Sequence, residues 1–165
     1  MKRLILLFAL AGAAALVSAG VAIGHTAHAS AAAVVVKTRQ TKYGTILVTG
    51  SGRTLYLDAG DKPPHFACTG GCLQAWPPLK ATGALKAQGS AKAADLGSTK
   101  DGAFKIVTYK GHPLYMFASD SGTAISGENT NGFFVVSAAG SKITHATSTT
   151  TTSTSTSSSS GSYYK

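Results

Sequence analysis

Negative charge is the scarcest resource of this chain: 6 Asp and Glu stand against 15 Lys and Arg in 165 residues. Two carboxylates that fall close together, Asp58 and Asp61, lie on a loop without the dense oxygen ligands of a calcium site. Their plain reading is as solvated turn residues. The basic residues, although in excess, never form a run. Lysines are scattered singly from Lys37 to Lys142, which argues against nucleic acid as a partner. Serine nucleophiles are also missing: Gly50-Ser51-Gly52 is a turn rather than a nucleophile elbow, and no base stands ready beside it. An enzyme is therefore not expected, and no cofactor is. Only two cysteines are present, and neither follows the apolar start of the chain, which excludes lipid attachment there. The Lys2-Arg3 pair does not make a twin-arginine signal.

What is present begins with an export signal over residues 1–29. Lys2-Arg3 supplies the positive start, Leu4 to Ile23 is almost wholly apolar, and Ala27-His28-Ala29 offers a small-residue cleavage site before Ser30. The alternative is an uncleaved anchor, since some 20 apolar residues just span a bilayer; only then does the chain meet a membrane. Cleavage removes Lys2 and Arg3 and leaves 13 basic against 6 acidic residues, a net charge of +7. Such a surface suits anionic envelope polymers or another envelope protein as partners. At the other end, residues 144–165 form a Ser/Thr-rich tail, with 14 consecutive serines and threonines from Thr147 to Ser160. This tract has no apolar surface to offset its ordering entropy, so it is expected to be disordered. It reads as a solvated tail or as a glycosylated spacer.

Between these ends, residues 30–143 say one thing twice. Gly52, Leu55, Tyr56 and Asp61 recur at the same spacing as Gly111, Leu114, Tyr115 and Asp120, fifty-nine residues later. Upstream, Leu47-Val48-Thr49 aligns with Ile106-Val107-Thr108 at that offset. Repetition at a fixed period marks two copies of one supersecondary unit, about 34–80 and about 96–143. The local pattern predicts a mainly β domain. A first strand falls at Ala33–Lys37. Thr45–Thr49 and Thr54–Leu57 form a hairpin around Gly50-Ser51-Gly52, and Phe104–Tyr109 and His112–Phe117 form another around Lys110-Gly111. Leucine precedes tyrosine in each, so the two point to opposite faces. Phe133-Phe134-Val135-Val136 reads as a further buried strand. Residues 81–100 read as a long connection with one helical turn near Ala91–Leu96.

The segment with most chemistry is Cys68-Thr69-Gly70-Gly71-Cys72, followed by Leu73-Gln74-Ala75-Trp76-Pro77-Pro78-Leu79. Two cysteines in an exported chain are most simply a disulfide. Leu73–Trp76 looks like one helical turn stopped by Pro77-Pro78, with Trp76 a core plug rather than a ligand platform. The competing reading is a soft-metal or redox site. His65, Cys68 and Cys72 are ligand types suited to copper, with His112 and Met116 near in sequence. Thiols at that spacing would also cycle to a disulfide. Expected core residues are Leu55, Leu114, Tyr56, Tyr115, Trp76, Phe133 and Phe134.

Taken together, the repeated G-x-x-L-Y-x-x-x-x-D, the C-x-x-x-C before W-P-P-L and the G-H-P-L-Y segment resemble the bacterial family called secreted repeat of unknown function. Its predicted lipoproteins carry a Y-x-[FWY]-x-x-D motif. Tyr115, Phe117 and Asp120 fit that motif fully; in the first copy Asp58 replaces the aromatic residue. The missing lipidation cysteine is a second departure. The resemblance implies export, a cell-envelope or secreted location and a β-rich repeat, but no established activity and no catalytic residues. The expectation is a non-enzymatic binding or structural module.

Overall fold

The computed structural model describes residues 31–146 except 64 and 103. The export segment and the Ser/Thr tract from Thr147 lie outside the described residues. Within them run β1 (Val34–Thr41), β2 (Gly44–Thr49), β3 (Tyr56–Asp58), a helical turn α1 (Cys72–Ala75), β4 (Leu85–Ala87), β5 (Leu96–Asp101), β6 (Phe104–Tyr109), β7 (His112–Pro113) and β8 (Phe133–Val135). The strands make three small sheets, ordered β2-β1-β4, β3-β8 and β5-β6-β7. The mainly β class and the duplicated hairpins agree with the sequence reading.

The dominant hairpins are not the expected ones. β1 and β2 pair antiparallel from Val36 opposite Thr49 to Thr41 opposite Gly44, and Gly44 holds φ 81°, where a side chain would be strained. In the second copy β5 pairs β6 in the same way, from Leu96 opposite Tyr109 to Asp101 opposite Phe104. No local pattern signals β5, because Leu-Gly-Ser-Thr-Lys-Asp has almost no apolar alternation. As an edge strand it buries little on either face. The expected helical turn is a short 3-10 turn at Ala93–Asp95. β4 pairs parallel with β1, a contact that is equally silent in the sequence.

The hairpins expected at the glycine turns survive in reduced form. Val48 bridges Thr54, and β6 pairs with the two-residue β7. The alignment also shifts by one residue upstream of the turn. Leu55 N–H donates to Leu47 O (3.1 Å) and Leu114 N–H to Val107 O (3.0 Å), so Leu47 corresponds to Val107 rather than Ile106. The first turn holds one residue more.

Each copy is completed by the other. Leu47 N–H donates to Val136 O, and Val107 N–H to Leu79 O, both at 2.8 Å. The Trp76–Leu79 segment of the first copy thus lies against the second, while β8 of the second pairs with β3 of the first. The leucine and tyrosine faces separate as expected. Leu55 and Leu114 pack with Val36, Leu47, Val107 and Val136, whereas Tyr56 and Tyr115 pack with Ile46, Val48, Trp76 and Phe133. Trp76 stacks on Phe133 with ring centroids 3.8 Å apart and planes 4° apart. Phe134 departs from the expected core. Strand alternation turns it away from Phe133 and Val135, leaving it half-buried under the Lys142 ammonium, 4.9 Å from the ring centroid.

Candidate functional site

The repeated tyrosine and aspartate meet across the copies, not within them. Tyr56 Oη donates to Asp120 Oδ2 at 2.6 Å, and Tyr115 Oη donates to Asp61 Oδ2 at 2.8 Å. The other carboxylate oxygen of each aspartate holds its own loop. Asp61 Oδ1 accepts from Ala67 N–H (2.8 Å), and Asp120 Oδ1 from Ser126 N–H (2.9 Å) and the Ser126 hydroxyl. All four repeat residues are buried. Burial raises both tyrosine hydroxyls well above their ordinary range, and the facing carboxylates add to the effect. Asp61 is also raised, because burial outweighs its two donors. Gly52 and Gly111 take φ 95° and 81° in the turns that lead into Leu55 and Leu114.

Phe117 lies against Trp76, ring centroids 4.5 Å apart. Its counterpart Asp58 instead holds its own turn, where Oδ1 accepts Gly60 N–H at 2.8 Å. Cys68 and Cys72 form a disulfide with Cα atoms 5.3 Å apart, joined to the aromatic cluster. This corrects the soft-metal reading, since both sulfurs are taken up in the bond. The other proposed ligands are also dispersed. His65 is exposed and exchanges main-chain hydrogen bonds with Lys62, while Met116 packs on the leucine cluster rather than the aromatic cluster that holds the cysteines. Among the described residues no three His, Cys, Asp or Glu come together as metal ligands.

His112 sits elsewhere, at a cleft of about 340 Å³ lined also by Leu57, Asp58, Asp61, Ser141 and Lys142. Sequence reasoning named His112, Asp58 and Asp61 separately but missed that they converge. It also missed Arg53, whose Nη2 donates to Phe117 O at 2.9 Å and lies 3.5 Å from Asp120 O. Arg39 and Thr54 secure the same loop, donating to Thr123 O (3.1 Å) and Ala124 O (2.7 Å). The repeat offset itself carried the missing signal, because it sets Arg53 opposite His112.

The model of a family described as secreted repeat of unknown function matches the chain twice, over residues 37–80 and 96–136. The chain belongs to this family. Membership in the secreted repeats supports an exported protein. It fits two β units whose shared residues, Tyr56, Asp61, Tyr115 and Asp120, tie one to the other. Neither the curated proteins nor the solved structures give a match.

Proposed function

We propose that this secreted repeat protein is a non-enzymatic binding module of the cell envelope, with its repeat motif as the fastener and the Asp58–His112 cleft as the place of contact. One observation carries the reading. The polar groups of the motif are engaged in buried hydrogen bonds between the copies, so they are not free for chemistry on a substrate. The cleft is lined by Asp58, His112, Ser141 and Lys142 together with the motif's Asp61, at a place where the two copies differ in sequence. Buried, satisfied polar networks make a fold specific and rigid, and a rigid frame with a small polar cleft suits recognition.

The test separates the two roles. His112→Ala and Ser141→Ala at the rim should leave the melting temperature unchanged but weaken retention of the exported protein on an envelope fraction. Tyr115→Phe should lower the melting temperature. Rim variants retained as well as wild type would overturn the cleft as the contact, and turnover of an envelope component by purified protein would overturn the non-enzymatic reading.

A further inference from the structure

The cleft, at the Asp58–Asp61 turn of the first copy, is the counterpart of a place at the Phe117–Asp120 turn of the second, which Arg53 of the first copy fills. There the half-buried Arg53 guanidinium donates to Phe117 O, which also accepts Asp120 N–H at 3.1 Å. The same turn exists in the first copy, where Asp58 O accepts Asp61 N–H at 3.3 Å. The offset of fifty-nine residues puts His112 in the place of Arg53, Asp58 in that of Phe117 and Asp61 in that of Asp120. His112 is exposed, and the space beside the turn opens as the 340 Å³ cleft.

Two changes therefore coincide. The site that lacks the arginine, made by His112 of the second copy at the Asp58 turn of the first, also has a carboxylate where the other site has an apolar ring. Phe117 packs on Trp76, whereas Asp58, buried on the cleft wall, brings a negative charge beside Asp61. Leu57 supplies an apolar wall for an alkyl stem, and Ser141 a hydroxyl. Lys142 also lines the cleft, with its ammonium held over the Phe134 ring. A planar guanidinium matches paired oxygen acceptors better than a compact ion does.

We propose that the cleft binds an alkylguanidinium or alkylammonium group from outside the chain, seated as the Arg53 guanidinium is at the equivalent Phe117–Asp120 turn. This rests on the cleft being a binding site and adds the chemical class of its ligand. A free small cation and an arginine side chain of a partner polypeptide present the same group.

The test uses the full exported chain and three probes: Nα-acetyl-L-arginine amide (arginine amide below), its neutral isostere Nα-acetyl-L-citrulline amide (citrulline amide below), and a capped Gly-Arg-Gly peptide. Amide chemical shifts followed on titration should move saturably for arginine amide, confined to residues 57–61, 112 and 140–142. Citrulline amide should bind about tenfold more weakly, since it lacks the charge. Peptide binding tighter than arginine amide assigns a partner's side chain, and the reverse order a free cation. His112→Arg should fill the cleft from within and abolish probe binding while raising the melting temperature. Asp58→Asn keeps the acceptor for Gly60 N–H but loses the charge, and should weaken arginine amide about fivefold. Equal binding of citrulline amide, shifts outside the cleft, or undiminished binding by His112→Arg would each overturn the proposal. So would cleft-dependent envelope retention that arginine amide fails to displace, an outcome that leaves the binding-module reading standing.

Discussion

Tyr56 and Tyr115 exchange main-chain hydrogen bonds, each amide donating to the other's carbonyl at 2.9 Å. The pair marks the centre about which the copies are related. Around it Tyr56 meets Trp76 edge-on at 5.4 Å, and Tyr115 meets Phe133 edge-on at 5.3 Å. The side chains then cross, each phenol reaching the aspartate of the other copy. A motif that reads as one unit along the chain works as two half-fasteners in space.

That crossing is measurable by double-mutant cycles. Tyr56→Phe combined with Asp120→Asn should show a coupling of about 1–3 kcal/mol, as expected for a buried charge-assisted hydrogen bond. Tyr56→Phe with Asp61→Asn, a pair within one copy, should couple by under about 0.5 kcal/mol. The reverse ranking would refute the exchange. Truncation of either ring to alanine should cost a similar amount, about 3–5 kcal/mol, because both are fully buried.

The raised tyrosines set an alkaline limit. In the unfolded chain both ionise near pH 10, while the folded protein keeps both protons. The folded state then binds more protons than the unfolded one, so stability falls as pH rises above that value. The combined slope is about 1.4 kcal/mol per pH unit at pH 10, where the unfolded tyrosines are half ionised, and approaches about 2.7 above it. Denaturant titrations between pH 9 and 11 should find it. A Tyr56→Phe, Tyr115→Phe double variant, less stable at neutral pH, should show a much flatter decline. An unchanged slope in that variant would place the sensitivity elsewhere.

At the acid end, Asp61 and Glu128 are both raised, chiefly by burial, although Val135 N–H donates to Glu128 Oε2 at 2.6 Å. Protons bind them more tightly in the folded state. Their contribution is thus largest below the usual carboxylate value of about 4 and is lost as pH rises through their higher folded values. Among the described residues, Glu128 Oε1 is buried without a partner. Glu128→Gln should therefore remove part of this loss, seen as a stability difference from wild type that favours the variant more at pH 7 than at pH 3. A difference constant across that range would contradict the assignment.

Packing leaves no room for a side chain at Gly127. A Cβ there would sit 2.7 Å from Trp76 Cη2 and 3.0 Å from Phe117 Cβ. Gly127→Ala should destabilise by about 1–3 kcal/mol through overpacking, with a change in tryptophan fluorescence. Neutral behaviour would mean the aromatic cluster yields freely.

The disulfide closes a small loop. Cys68→Ser with Cys72→Ser should cost about 2 kcal/mol on the chain-entropy argument and leave binding at the cleft intact, since Cys68 and Cys72 are absent from its lining. Loss of binding by a folded double variant would tie the cysteines to function after all.

Local chemistry is legible in the sequence wherever it is self-contained. The Gly-Ser-Gly and Lys-Gly turns, the opposed faces of Leu55 and Tyr56, the cysteine pair and the buried Trp76 all follow from neighbours within a few residues. β4 and β5 are not legible, because one is a short parallel partner and the other a polar edge. Neither carries a periodic apolar signal. Phe134 escapes for a related reason: an unbroken apolar run hides which residues alternate outward.

By itself the sequence determined that one unit is used twice, that it is β-rich, and which residues the two uses share. Only the tertiary structure decided that Tyr56 answers to Asp120 and Tyr115 to Asp61, and that Arg53 fills one half while His112 leaves the other open. The physical reason is that repetition fixes spacing along the chain. The partner of a buried hydroxyl is chosen by which carboxylate the packed copies bring within hydrogen-bonding distance.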